Sequence, residues 1–212
     1  MLLSKLFYFV MLTTSKFNID ESHGLSHSMN VLMYANRIFE SELPKKPQLI
    51  KQERLIYVSS VLHDMCDKKY MSQEDGIEEI ECFLNDKLKP IEIETAKKII
   101  STISYSTVKK NGFPDLQEFQ SAYHIVREAD LLTAYDFDRS MIYNMYTQKA
   151  DIKDAFRNAK ELFTERVLKH NVDKLFFSDY AKHESSRLQE IALQRIWYWH
   201  KILGLDLDKY PN

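Results

Sequence analysis

Tyr57-Val58-Ser59-Ser60-Val61-Leu62-His63-Asp64 is the stretch on which the reading of this chain turns. Ile56 and Ser59 or Ser60 precede His63 at helical spacing, so the run reads as the buried stripe of a helix over about 48–65. That stripe ends on an imidazole and a carboxylate, groups whose burial without partners costs on the order of several kcal/mol. Two more polar groups interrupt apolar stripes elsewhere. His27 is followed by Val31, Tyr34 and Ile38 at offsets of four, seven and eleven, and Asp130 lies four beyond Val126 and seven before Phe137. A single histidine on an apolar face is most often a hydrogen-bonded core residue, and a His-Asp dipeptide alone is weak evidence. The conjunction carries more. His27, His63, Asp64 and Asp130 offer two nitrogens and two oxygens from three separated segments, a donor set that a borderline or hard divalent cation accepts. Four protein donors leave positions open for water and substrate, as hydrolytic catalysis requires, and the absence of a thiolate set argues against structural zinc.

The rest of the composition narrows the frame. The 212 residues suffice for one domain, taken here as 1–212. Basic and acidic residues balance at 29 and 31, and a net charge of −2 speaks against broad affinity for nucleic acid or an anionic membrane. Four glycines and five prolines are few for a sheet protein of this length, and no glycine-rich phosphate loop is present, so the expected class is all-α with short connections. Cys66 and Cys82 make no disulfide framework, which fits a reduced, cytoplasmic protein. The apolar run Met1–Leu12 contains Lys5, lacks a small-residue cleavage site after it and is too short to span a bilayer, so it reads as a first helix packed on the domain. Periodicity and turn chemistry predict helices near 2–16, 23–41, 48–65, 73–87, 91–103, 117–135, 138–149, 151–170 and 178–203. They also predict a loop at 109–114 and a stop at Gly204.

The ligand pattern resembles the H…HD…D signature of the HD-domain superfamily of metal-dependent phosphohydrolases, which are all-helical bundles. Ser22-His23-Gly24-Leu25-Ser26-His27-Ser28-Met29-Asn30-Val31 is similar to that family's opening segment, and Val61 to Tyr70 to its central one. Ile103-Ser104-Tyr105-Ser106 and Ile125 to Leu132 resemble downstream segments of one bacterial and fungal branch that includes nucleoside triphosphate pyrophosphohydrolases. The resemblance covers roughly 15–145. It implies one divalent ion (manganese, magnesium or cobalt) and hydrolysis of a (deoxy)nucleoside triphosphate to monophosphate and pyrophosphate. A 5′-nucleotidase and a non-catalytic nucleotide-sensing module are the alternatives. Asn30 stands where the branch often has arginine, and Thr133 where bacterial members often have a second aspartate, departures that bear on substrate choice.

Several neighbours of the ligand set are candidates for the chemistry. Asp67, four after His63, would share its helical face if the helix continued, and could position a water as Asp64 holds the ion. The alternative for Asp67 is a pair with Lys68 or Lys69. Of these two lysines one is expected to face the site, and Lys68 is favoured for binding phosphate; Lys109 is a weaker candidate and Lys110 a solvent residue. His23 reads as site-lining rather than metal-bound, while His124, His170, His183 and His200 read as structural or exposed. Asp136 and Arg139 either line the pocket or form a local ion pair. The aromatic cluster at Ile196-Trp197-Tyr198-Trp199 reads as core or oligomer interface, leaving a homodimer open. The expected partner is a small phosphorylated molecule, with neither nucleic acid nor membrane.

Overall fold

Helix α7 (Gln120–Thr133) is buried on almost every side, from Ala122 and Tyr123 through Leu131 to Thr133, and the remaining helices are arranged around it. The computed structural model describes residues 1–205; positions 206–212, the end of the expected 1–212 domain, lie outside the described residues. In chain order the other helices are α1 (Leu2–Phe17), α2 (Leu25–Glu42), α3 (Glu53–Leu62), α4 (Gln73–Leu84) and α5 (Pro90–Thr102). They are followed by α6 (Tyr105–Asn111), α8 (Phe137–Thr147), α9 (Ile152–Glu165) and α10 (Asp179–Ile202). No strand occurs among the described residues, so the expectation of an all-α protein is met.

Local chemistry explains where the helices begin. Ser72, Ser104, Asp136, Asp151 and Ser178 each accept a backbone N–H of the first turn of the following helix, supplying partners that the helix itself cannot. Asn18 ends α1 in the left-handed conformation at φ 52°. Helix α2 packs against both α3 and α7, and α10 closes over α7 and α2. The first helix, as expected, turns Leu6 and Val10 into the core. No helix among the described residues is long and apolar enough to cross a membrane.

The helices expected over 73–87, 117–135 and 151–170 are shorter, as Gln73–Leu84, Gln120–Thr133 and Ile152–Glu165, and three further differences, each with a local cause, bear on the candidate site. The helix expected from 23 starts only at Leu25, because the Asp20 carboxylate caps a 3-10 turn over Glu21–His23 and Gly24 is extended. His23 therefore precedes the helix that carries His27. The helix expected over 48–65 divides into a 3-10 turn, Pro47–Gln52, and α3, which ends at Leu62. His63 and Asp64 lie in the turn beyond it, so Asp67 does not share a continuous helical face with them. The loop expected from 109 is instead the end of α6: Ser104 caps it, and the chain leaves the helix at Gly112, φ 74°.

The turn that carries His63 and Asp64 is held by a close approach. Gly76, inside α4, faces the Cys66 backbone so tightly that an added Cβ would sit 2.7 Å from Cys66 Cα and 2.9 Å from Met71 Sδ. Alanine ordinarily stabilises a helix relative to glycine by roughly 1 kcal/mol. Here the backbone contact reverses the sign, and Gly76→Ala is expected to cost about 1–3 kcal/mol, the range for overpacked cores. Thermal unfolding together with manganese titration checks this: both the Tm and the metal affinity fall, because the ligand turn is what must shift.

Candidate metal centre

His63 is fixed from behind. Its Nδ1 donates to the Ser60 carbonyl at 2.9 Å, which aims Nε2 away from α3 and toward α2. There it meets His27 Nε2 at 3.0 Å. Asp64 Oδ2 lies 3.1 Å from His27 Nε2 and 3.3 Å from His63 Nε2, and Asp130 Oδ1 lies 3.7 and 3.6 Å from the same two atoms. His27, His63 and Asp64 thus bring three donor atoms together from α2 and the turn after α3, and Asp130, from α7, lies beside the two imidazole nitrogens. His27, His63 and Asp64 could hold a metal ion. Neighbouring donors around an octahedral ion with bonds of about 2.1 Å sit roughly 3.0 Å apart, and the closest spacings here match that edge. Asp64 Oδ2 and His27 Nδ1 are buried with no hydrogen-bond partner, the condition an ion would relieve at the carboxylate.

Electrostatics divide the four groups. Burial pushes His27 down to about 4, with Arg139 reinforcing it. Burial acts the same way on His63, but Asp64 and Asp130 overcome it and raise that imidazole well above its ordinary value. Burial opposes ionisation of both aspartates, yet His63 and His27 hold their carboxyls well below the usual range. The carboxylates are ionised and ready to ligate, and His63 carries the proton that ligation would displace.

A cavity of about 450 Å³ opens over His63, Asp64 and Asp130. Its rim carries Lys68, Lys69, Arg139 and Arg166. Arg139 reaches in from α8, donating to the Ser22 carbonyl and, at 3.2 Å, to Thr133 Oγ1. Arg166, just past α9, stacks 4.1 Å from the Tyr105 ring, and its buried Nε has no partner. Neither guanidinium forms an ion pair among the described residues. A second cavity, about 490 Å³, reaches His27 from the side of α2, α8 and α10 and is bordered by both Asn30 and Thr133. Arg139 borders both cavities.

The other candidates distribute unevenly. Asp67 borders the first cavity and also binds locally, accepting from the Lys69 backbone at 2.9 Å and lying 3.4 Å from its ammonium. Lys68 borders the cavity as expected, but so does Lys69, which is the better anchored of the two, 3.2 Å from His23 Nε2. Lys109 is not brought to the cluster. Because α6 continues through it, its ammonium lies 5.8 Å over the Tyr105 ring and borders a separate cavity with Arg127 and Leu175. His23 lines the site, its ring 6.2 Å from that of His27. Burial pushes it down to about 3 against the pull of Asp64.

Asp136 caps α8 through the Arg139 backbone rather than pairing with its side chain, and both border the second cavity. Cys66 borders the first cavity as a thiol pushed up to about 12 by burial, and neither cysteine is in a disulfide. His170 and His200 are core residues, His124 packs against Phe113 and Phe177, and His183 is exposed. Of the C-terminal aromatics, Trp199 packs on the core and donates to Asp138 at 2.6 Å, while Trp197 and Tyr198 are about half exposed. Arg166 and the buried Asp20 carry no helical-stripe signal near the ligand motifs, and reading the sequence alone passes them over.

No family model matches the chain, and no curated protein matches it. Among solved structures it is similar to a crystal structure from Lactobacillus plantarum, a structural-genomics target. That match has 16% identity, a TM-score of 0.70, and covers 96% of this chain and 97% of that one. At that identity the likeness is one of fold: another protein closes the same helical arrangement over nearly its entire length.

Proposed function

We propose that this protein is a metal-dependent phosphohydrolase of the HD-domain type, acting on a nucleotide or a similar phosphorylated small molecule. The observation that carries the reading is the meeting of His27, His63, Asp64 and Asp130 beneath a cavity rimmed by Lys68, Lys69, Arg139 and Arg166. A donor set of two imidazoles and two carboxylates serves a divalent ion, and four cations around it serve an anion with several oxygens. A divalent ion held there would polarise a phosphoryl oxygen and acidify a water molecule. Asp67, which borders the cavity, would be the group that accepts a proton from an attacking water. The lysines and arginines would bind the phosphate oxygens and offset charge developing on the leaving group. Nucleoside triphosphate cleavage to monophosphate and pyrophosphate is the specific form of the proposal, and the family resemblance in the sequence supports it.

Metal binding is testable without activity. Calorimetric titration of the metal-free protein with manganese is expected to show one site and release of a proton near neutral pH. The carboxylates, being depressed, are already ionised, whereas His63, being raised, must give up its proton. Affinity therefore increases with pH until the His63 value is passed, and falls on acidification. Asp64→Ala is expected to weaken manganese binding by more than roughly 100-fold, since outer partners of metal ligands alone are worth about 10–100-fold.

The activity is tested with a manganese-supplemented panel of nucleoside mono-, di- and triphosphates, separating orthophosphate from pyrophosphate. Pyrophosphate release from triphosphates is the expected result. Orthophosphate from monophosphates would replace it with a 5′-nucleotidase. Nucleotide binding without any release would make the protein a sensor.

A further inference from the structure

Beside the metal centre runs a second polar chain whose direction can be deduced. The Asp20 carboxylate, 4% exposed, accepts from Ser22 N at 2.8 Å, from Thr147 Oγ1 at 2.7 Å and from Tyr70 Oη at 2.5 Å. Tyr70 Oη also lies 3.1 Å from His23 Nδ1, and His23 Nε2 lies 3.2 Å from Lys69 Nζ. The two ends fix the polarity. An ionised carboxylate can only accept and an ammonium can only donate. Lys69 therefore donates to His23 Nε2, and a neutral imidazole with Nε2 accepting must carry its proton on Nδ1. That proton goes to Tyr70 Oη, shared with Ser22 Oγ at 2.7 Å, and the Tyr70 proton goes to Asp20. Every member has the right number of protons, and no other assignment satisfies both ends.

Two consequences follow for His23. Both its ring nitrogens are engaged, so it is no fifth ligand for an ion at His27 and His63. Its neutrality, favoured by burial, is what lets it accept from a cation. Lys69 then has one proton on His23 and one directed at Asp67 Oδ2, 3.4 Å away, with the Tyr143 ring 5.2 Å from its ammonium. One N–H remains for the cavity over the metal centre.

We propose that Asp20, Tyr70 and His23 form a one-way hydrogen-bond chain that positions the Lys69 ammonium toward a phosphoryl group bound at the metal centre. The proposal rests on the phosphohydrolase reading for the identity of the anion; the chain itself does not. Asp20, Tyr70 and His23 are positioning residues that touch Lys69 or one another, while Lys69 is the group that would meet the anion. Because Thr147 also donates to Asp20, the chain ties the end of α8 to the turn that follows the ligand pair.

Three measurements on the full-length protein test it: the ring 15N shifts of His23, manganese affinity, and affinity of the manganese-loaded protein for inorganic pyrophosphate. The wild type is expected to show the neutral Nδ1–H tautomer of His23. Lys69→Ala, which removes the donor to Nε2, is expected to give a tautomer mixture, whereas Tyr70→Phe, which keeps the ring and removes the link, leaves the Nδ1 proton on Ser22 Oγ and the tautomer unchanged. Tyr70→Phe and Asp20→Asn are each expected to weaken pyrophosphate binding by roughly tenfold, the low end for residues that orient a site's ligands, with manganese affinity within about twofold of wild type. Lys69→Ala should weaken pyrophosphate binding as much, and adding Tyr70→Phe to it should cost nothing more, which a merely structural role for Tyr70 would not produce. An Nε2–H tautomer in the wild type, unchanged pyrophosphate affinity in both variants, or additive losses in the double variant would each overturn the proposal. Failure of the hydrolase reading looks different: the tautomer and pyrophosphate results hold while no nucleotide is cleaved.

Discussion

Everything in this structure that bears on chemistry depends on two imidazole nitrogens facing each other at 3.0 Å. Two neutral Nε2 lone pairs at that distance repel unless something positive lies between or on one of them. In the metal-free protein that role falls to the proton on His63, held there by Asp64 and Asp130. The same electrostatics suit a divalent cation better, since it satisfies both imidazoles and both carboxylates at once. Three of the four residues are kept from relaxing by what lies behind them: Ser60 behind His63, the Cys66–Gly76 contact behind the turn of Asp64, and the buried body of α7 behind Asp130.

Helix α7 owes its fixed rotation to two buried charges just before Asp130. Glu128, 1% exposed, accepts from Phe177 N at 2.9 Å, Ser178 N at 3.1 Å and Ser178 Oγ at 2.6 Å. Arg127 donates to the Leu175 carbonyl, its guanidinium 5.0 and 5.2 Å from the Phe113 and Phe177 rings. A carboxylate left that deep without hydrogen-bond donors would destabilise the fold, and three donors from one short segment satisfy it. The segment they come from leads into α10. The C-terminal third, which carries no signature of its own, thus locks the helix that carries Asp130.

The four residues of the cluster are legible in the sequence because each breaks an apolar stripe, and a stripe survives the exact position of a helix end. Boundaries are less legible. The stripe through Ile56 continues smoothly into His63, and nothing in residue type reports that Leu62 is the last helical residue. That single error moved Asp67 off the face it was expected to share. Lys109 was misjudged for a related reason: Lys109-Lys110-Asn111-Gly112 reads as turn chemistry, but Ser104 caps a helix that runs through the lysines and carries Lys109 away. Arg166 and Asp20 are not legible in the sequence because each meets its partner across a long separation, Asp20 meeting Thr147 127 residues away and Arg166 lying over the ring of Tyr105.

Asn30 and Thr133, the two departures from the family pattern, turn out to border one cavity, and it is not the one over Asp64 and Asp130. The two come from different helices, α2 and α7, and meet on one wall. The first cavity carries four cations, Lys68, Lys69, Arg139 and Arg166; the second carries Arg139 and Arg195 against Asp136 and Asp138, alongside Met33, Ile191 and Tyr198. His27 and Arg139 border the second cavity, and Arg139 is common to both. Under the proposed activity the charged end of a substrate belongs on the cationic side, where Coulomb attraction in a partly desolvated cleft outweighs the loss of its hydration. The features that distinguish one phosphorylated compound from another would then lie elsewhere. Under that activity Asn30 and Thr133 would meet the uncharged part of the substrate, apart from Asp64 and Asp130.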